Sequence, residues 1–473
     1  NVYAEPLNPP MPVGSAGVST ASAAGTAALQ GWMEAVRDGV AEEMRRDPNL
    51  IYLGEGIAER GGCFGHSKDL WKEFGSRRVI DTPICELAFT GASVGAAATG
   101  CRAVADLMFA DFMFDAATQI IHMAGKLRYM SNGQVHVPLL VRAPMGMIKC
   151  AGAHHSGAYY PAFAHCPGLL VVVPSNPADA KGLMKTALRA GDPVLFMEHK
   201  ALFSSKGPVP AGEHLVPLGQ AAVVRPGRDL TIATCGLATR VCLEAAEQLS
   251  QKGVFCEVID LRTIVPLDVE TVAASLHKTQ HLLVVDEAWS MFGVGAELAA
   301  AMMEYAFDDL DAPVGRLHTQ RVPFPFSPSL ESAVMVTAPK VVAAAQAVLS
   351  GRAPRPRHPQ AARPPGSAAV PAARAGETPA LRSATAAAAP ILVGDGVPIL
   401  IPNMDLTIEE AKIIRWKKGL GQSVVAGESL LEVETDKSTV EIEAPANGVL
   451  VKLLAAEGDV VGLGKPVGVI KPG

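Results

Sequence analysis

The chain has 473 residues, 49% of them hydrophobic, a formal net charge of −6 and eight cysteines. That length fits roughly three domains with sizeable cores. Mild acidity without a dense basic cluster argues against nucleic acid as a partner, and no apolar run of about 18 residues announces a membrane span.

Residues 1–28 are rich in Ala, Ser, Gly and Pro, without the basic start and apolar core of a secretory signal, and read as a disordered arm. Trp32, Met33, Val36, Val40 and Met44 recur at helical spacing, and residues 49–55 read as a strand and its exit. Strands follow at 102–108, 137–142, 169–173 and 194–197, with helices at 86–99, 116–130 and 178–189. Near-continuous apolar strands separated by helices imply a parallel sheet covered on both faces, here over 29–205. A second series (strands 230–234, 255–259 and 282–285, closing helix 340–349) gives a second parallel-sheet domain over 206–350, joined end to end with the first around 206–219. All eight cysteines (Cys63, Cys85, Cys101, Cys150, Cys166, Cys235, Cys242, Cys256) fall in these two domains, singly spaced. They suit neither a zinc site nor a disulfide frame, so a reducing, cytoplasmic interior is expected. From 351 to 396 Pro, Ala and Arg dominate and aromatics vanish. This flexible linker is a passive spacer or a tether with a reach on the order of 100 Å.

Residues 397–473 change to period-two alternation. Leu431 and Val433 alternate with Glu432 and Glu434; Val440, Ile442 and Ala444 alternate with Thr439, Glu441 and Glu443. Two half-buried strands meeting at a tight turn place Lys437 at a hairpin tip. Val424-Val425-Ala426-Gly427 returns loosely as Val460-Val461-Gly462, so two quasi-repeated halves form a small all-β flattened barrel. Lys437 is then a solvated turn residue or a displayed attachment point.

Two places in the first domain suggest chemistry. Asp81-Thr82-Pro83-Ile84-Cys85-Glu86 leaves a strand and opens a helix rich in small residues, with Pro83 fixing the loop. Glu86 is either a cap favoured by the helix dipole or a buried acid that trades a proton with a bound ring. His155, in Ala153-His154-His155-Ser156-Gly157, is a loop histidine that on pattern alone is structural or solvated.

Several motifs then occur in order: Gly54-Glu55, Asp81-Thr82-Pro83 with Glu86, Phe109-Ala110-Asp111-Phe112, His155-Ser156, Ala164-His165-Cys166-Pro167-Gly168, Glu198-His199-Lys200, Asp260-Leu261-Arg262-Thr263 and Val285-Asp286-Glu287. With them, residues 30–350 resemble the beta subunit of the E1 component of 2-oxo acid dehydrogenases, a transketolase-like half-enzyme. Residues 397–470, through Glu434 to Thr439, resemble the lipoyl domain of the same complexes. Asp436 and Ser438 stand where biotin carriers have methionines, so the resemblance implies lipoate in amide linkage on Lys437. The implied fold is α/β: two consecutive transketolase-like domains, the Pro/Ala linker and the all-β lipoyl domain.

The resemblance implies thiamine diphosphate as cofactor, with Glu86 hydrogen-bonded to its aminopyrimidine ring, where an acid favours the reactive imino tautomer. Ile84, Met108 and Phe112 would pack near the rings; each also reads as ordinary core. His155 matches the histidine implicated in acyl transfer to lipoate, by giving a proton to the opening dithiolane. His154 is the adjacent candidate, and Gly157 replaces the usual Gln.

The family's Gly-Asp-Gly turn and distant asparagine, which hold the diphosphate and magnesium, have no counterpart. Gly394-Asp395-Gly396 sits at the edge of the lipoyl domain, with Asn403 too near and Asn447 too far. The resemblance therefore implies an E1 alpha partner carrying Mg2+, an alpha2-beta2 heterotetramer, and E2 acyltransferase and E3 in a multienzyme complex. No metal ligand is assigned here; 187–192 loses an acidic residue of the potassium loop. The expected activity is oxidative decarboxylation of pyruvate or a branched-chain 2-oxo acid with reductive acylation of the chain's own lipoyl carrier. An acetoin dehydrogenase subunit and a non-catalytic carrier or assembly subunit are the alternatives.

Overall fold

The structure, a computed structural model, describes residues 27–351, 396–401, 410–434 and 439–472. Lys437, Asn403, nearly all of the arm and nearly all of the linker lie outside the described residues. The chain divides into two compact units, Asn1–Ala362 and Arg363–Gly473.

The first unit begins with strands β1 (Ala28–Gly31), β2 (Leu50–Gly54), β3 (Val79–Asp81), β4 (Arg102–Asp106), β5 (Leu139–Met145), β6 (Leu170–Val172), β7 (Val194–His199) and β8 (Lys206–Val209). Among them run helices α1 (Trp32–Arg46), α2 (Leu70–Phe74), α3 (Glu86–Ala98), α4 (Gly125–Met130), α5 (Tyr160–Ala164) and α6 (Pro177–Arg189). The predicted helix over 116–130 is α4 preceded by a π-helical turn, Thr118–Ala124. Then come β9 (Ala222–Arg225), β10 (Leu230–Thr234), β11 (Cys256–Asp260), β12 (Thr263–Val265), β13 (Leu282–Trp289) and β14 (Gly315–Thr319). The accompanying helices are α7 (Leu237–Ser250), α8 (Val269–Thr279), α9 (Val294–Tyr305), α10 (Pro328–Val334) and α11 (Ala338–Leu349).

One sheet has the order β12-β6-β7-β5-β4-β2-β3 and the other β14-β13-β10-β11-β9. Both are parallel except at the edge strands β12 and β9. Strands β5 and β7 are buried along their whole length, as parallel strands with both faces covered must be. Within the apolar core of the first sheet lies a buried polar network. Buried Arg142 pairs with Glu198 (Nη2–Oε1 3.1 Å), and Trp32 Nε1, at the start of α1, donates to the same carboxylate at 2.8 Å.

The two modules do not merely lie end to end, as the sequence reading expected. β12, from the second module, pairs antiparallel with β6 and extends the first sheet. Polar groups tie the same seam: Arg262 grips Asp179 at 2.9 and 2.7 Å, and His199 Nε2 lies 2.6 Å from Glu287 Oε2. The hydroxyls of Ser175 and Tyr160 donate to Asp260 and Asp286. Pro328–Leu349 is the described stretch long and apolar enough to cross a membrane, and polar residues such as Glu331 and Lys340 interrupt it. This stretch forms α10 and α11, and Val341, Ala345 and Val348 are buried in a cluster shared with α7.

The second unit holds strands β15 (Val397–Leu400), β16 (Glu410–Trp416), β17 (Ser423–Val424), β18 (Ser429–Glu434), β19 (Thr439–Glu443), β20 (Gly448–Leu453), β21 (Val460–Gly462) and β22 (Pro466–Lys471). Two antiparallel four-stranded sheets, β15-β22-β20-β17 and β19-β18-β16-β21, make a half-barrel around Ile399, Ile413, Leu431, Val433 and Ile470. The hairpin β18–β19 has the register Leu431↔Ile442, Val433↔Val440 and Glu434↔Thr439.

Burial, ahead of the nearby Asp179 charge, raises the Asp260 carboxyl to about 7. A carboxyl raised on folding stabilises the protonated native state below its unfolded value, and that contribution is lost as pH rises through about 7. Asp260→Asn should therefore flatten the fall in stability between pH 5 and 7, by up to about 1.4 kcal/mol per pH unit, in urea unfolding read by tryptophan fluorescence.

Candidate active site

The parallel register brings strand ends together. Gly54 of β2 lies level with Asp81 of β3 and Asp106 of β4. Gly54 has to be glycine: a Cβ there would sit 2.9 Å from Asp106 Cβ. The residues that follow these strands emerge on the carboxyl edge of the sheet, where open α/β sheets take ligands. Glu55 follows β2, Thr82 to Glu86 follow β3, Met108 and Phe109 follow β4, the loop of residues 146–159 follows β5, and Lys200 follows β7.

Glu86 is half-buried and is the first residue of α3, where the helix dipole favours its charge. Its neighbour is Glu55, only 5% exposed. The Cys85 N–H approaches Glu55, yet neither carboxylate oxygen completes a hydrogen bond. Burial first, and the Glu86 charge second, push the Glu55 carboxyl up to about 7. Glu55 therefore keeps a proton available near neutral pH.

The other predicted residues fall around this pair and a second cluster. Ile84 shares the Glu86 loop and is 78% exposed, so its core-packing alternative fails. Met108 is half-buried, with its Sδ 2.8 Å from Cys63 Sγ. Phe112 is half-buried on a 3₁₀ turn, Ala110–Phe114. The His155 ring meets Phe109 and Phe112 edge-on, with centroids 4.6 and 5.6 Å away. Lys200 donates its Nζ to the His155 carbonyl and stands 4.8 Å from the Phe109 ring centroid. Burial lowers the Lys200 ammonium to about 8. The structure thus unites His155 with Phe112 and places Glu86 with Glu55. His154 is exposed on the same loop.

Sequence reasoning gave no role to Glu55, Lys200 or Asp111. Glu55 and Lys200 each stand directly after a strand, so their signal is a charged residue at a strand exit, whereas Asp111 lies on the 3₁₀ turn Ala110–Phe114 beyond β4.

Three family models match the chain: the transketolase pyrimidine binding domain over residues 30–205, the transketolase C-terminal domain over 219–341, and "biotin-requiring enzyme" over 397–470. The beta subunit of acetoin:2,6-dichlorophenolindophenol oxidoreductase from Cupriavidus necator is 42% identical over 327 residues, covering 67% of this chain and 96% of that protein. The 2-oxoisovalerate dehydrogenase beta subunit of Bacillus subtilis is 42% identical over 318 residues, covering 67% and 97%. The mitochondrial pyruvate dehydrogenase E1 beta subunit of Drosophila melanogaster is 41% identical over 324 residues, covering 67% and 89%. Among solved structures, a split-gene transketolase in an inactive beta4 tetramer superposes with TM-score 0.57 at 22% identity, over 68% of this chain and 99% of that one, a likeness of fold.

Residues up to about 350 thus form a transketolase-type pair of α/β domains with an acidic pair at the sheet's carboxyl edge. The chain belongs to the E1 beta-subunit family of 2-oxo acid dehydrogenases, and a domain of the biotin/lipoyl family follows in the same polypeptide.

Replacing Glu86 by Gln removes the smaller of the two main causes acting on Glu55. The Glu55 pKa, followed by 13C NMR of labelled carboxyls, should fall from about 7 and stop short of the ordinary glutamate value, because burial persists.

Proposed function

We propose that the chain is the beta-type subunit of a thiamine-diphosphate-dependent 2-oxo acid dehydrogenase E1 that bears its own lipoyl carrier. The observation that carries this reading is the Glu55–Glu86 pair at the carboxyl edge of the pyrimidine-binding fold. Its residues fit an aminopyrimidine: a half-buried carboxylate, a buried and unpartnered one beside it, and the uncovered apolar side chain of Ile84.

When bound, thiamine diphosphate supplies the carbon nucleophile that decarboxylation requires. Glu86 holds a proton at the ring nitrogen, and Glu55 keeps that proton available near neutral pH. Ile84, Met108 and Phe112 keep water from the rings. His155 delivers a proton to sulfur when the carrier is acylated. In the net reaction the 2-oxo acid loses CO2 and its acyl group joins one sulfur of the lipoyl disulfide. The acid's proton ends on the other sulfur, and the electron pair of the broken carbon–carbon bond reduces the disulfide.

Among the described residues no group of three or more His, Cys, Asp or Glu could hold a metal ion. The diphosphate and its Mg2+ fall to an E1 alpha partner in an alpha2-beta2 heterotetramer, which passes acyl groups to E2 within a complex that also holds E3. The eight free thiols suit the cytoplasm. Lipoate is carried on Lys437, between strands whose register pairs Glu434 with Thr439. Pyruvate and branched-chain 2-oxo acids are the proposed substrates. The Cupriavidus necator relative favours acetoin cleavage as a second reading.

Dye-coupled assays of the reconstituted alpha–beta complex on pyruvate, 2-oxoisovalerate and acetoin separate these substrates: at least tenfold higher kcat/KM on one 2-oxo acid is expected, and a preference for acetoin selects the second reading. Intact mass after co-expression with a lipoate ligase should show one adduct, absent in Lys437→Ala. An adduct that survives this change overturns the carrier assignment.

A further inference from the structure

Gly157 has no room for a side chain. A Cβ at that position would lie 1.7 Å from Tyr159 Cε2 and 2.4 Å from Cδ2. The Tyr159 ring cannot swing aside freely. It packs edge-on against Phe114 at 4.9 Å and lies tilted against Trp289 at 5.6 Å, and Phe324 stacks behind Trp289 at 5.1 Å. Trp289 ends β13 of the second module, and Phe114 ends the 3₁₀ turn that carries Phe112. Tyr159 is therefore a wedge between that turn and the second module.

The wedge and the histidine loop share one anchor. Gly157 donates its N–H to Asp111 Oδ2 at 3.2 Å, and the Tyr159 hydroxyl faces the same carboxylate. Asp111 lies on the turn whose Phe112 contacts the His155 ring. From His155 to Tyr159 the chain thus has fixed points on either side of Ser156, which is itself buried. A side chain at 157 would expel the ring, break this anchorage and let the histidine loop shift.

We propose that Gly157 and Tyr159 form an interlocked pair that positions His155, so that, on the acyl-transfer role assigned to His155 above, they govern transfer to lipoate and leave decarboxylation alone. Tyr159 acts through the bulk of its ring as a positioning residue. Gly157 matters only because it admits that ring.

The test separates two half-reactions of the reconstituted alpha–beta complex: substrate oxidation by an artificial dye, and acylation of the lipoylated carrier followed by intact mass. Gly157→Ala and Tyr159→Ala should each slow acylation by about 10- to 100-fold, with dye reduction within about twofold of wild type. Tyr159→Phe keeps the ring and should retain acylation within about threefold of wild type. The double variant should be no slower than Tyr159→Ala, since a methyl at 157 is harmless once the ring is gone. Additive losses in the double variant, or equal losses of both half-reactions, would overturn the pairing; should Gly157→Ala fail to fold, the split in Tyr159→Ala decides. A wild-type complex that acylates no carrier sinks the functional reading itself, whereas a competent wild type with unaffected variants sinks only the interlock.

Discussion

Crowding of two carboxyl groups at one sheet edge is the constraint on which the site depends. The parallel register of β2, β3 and β4 puts Glu55 and the start of α3 side by side, and burial denies Glu55 both water and a hydrogen-bond partner. Alone, the buried acid would be a defect, because an uncompensated charge there is costly. With the Glu86 charge helping burial to raise its carboxyl to about 7, Glu55 becomes a store for one proton at neutral pH. The carboxyl edge of an α/β sheet is where such a store can meet a ligand.

The second module acts on this edge from across the seam. β12 completes the first sheet, Arg262 holds Asp179, and Glu287 pairs with buried His199. Lys200, next in the chain, then supports the carbonyl of His155, while Trp289 backs the Tyr159 wedge. The histidine loop is thus held by residues from both modules. Its position depends on their docking, whereas the Glu55–Glu86 pair is built within the first module.

Much of this was legible in the sequence, for identifiable reasons. Strands β5, β7 and β10 are buried along their whole length, and the apolar runs that betray them are long. The hairpin arms β18 and β19 were legible because one face is buried and the other wet. β12 was not, since three residues carry no period. Its partner β6 is distant in sequence, so only the folded chain brings them together. Glu86 could be singled out from its loop, but Glu55 could not. Their proximity comes from strand register, which composition does not encode. The Gly157–Tyr159 lock escaped for the same reason: a missing side chain looks like flexibility until the ring that fills its place is seen.

The central claim is that Glu86, poised by Glu55, controls the proton chemistry of the aminopyrimidine. It is tested most directly by the rate of hydrogen–deuterium exchange at C2 of thiamine diphosphate bound to the alpha–beta complex. The account predicts that Glu86→Gln slows this exchange by about 10²- to 10⁴-fold while the complex still binds the cofactor. Exchange at the wild-type rate in that variant would contradict it.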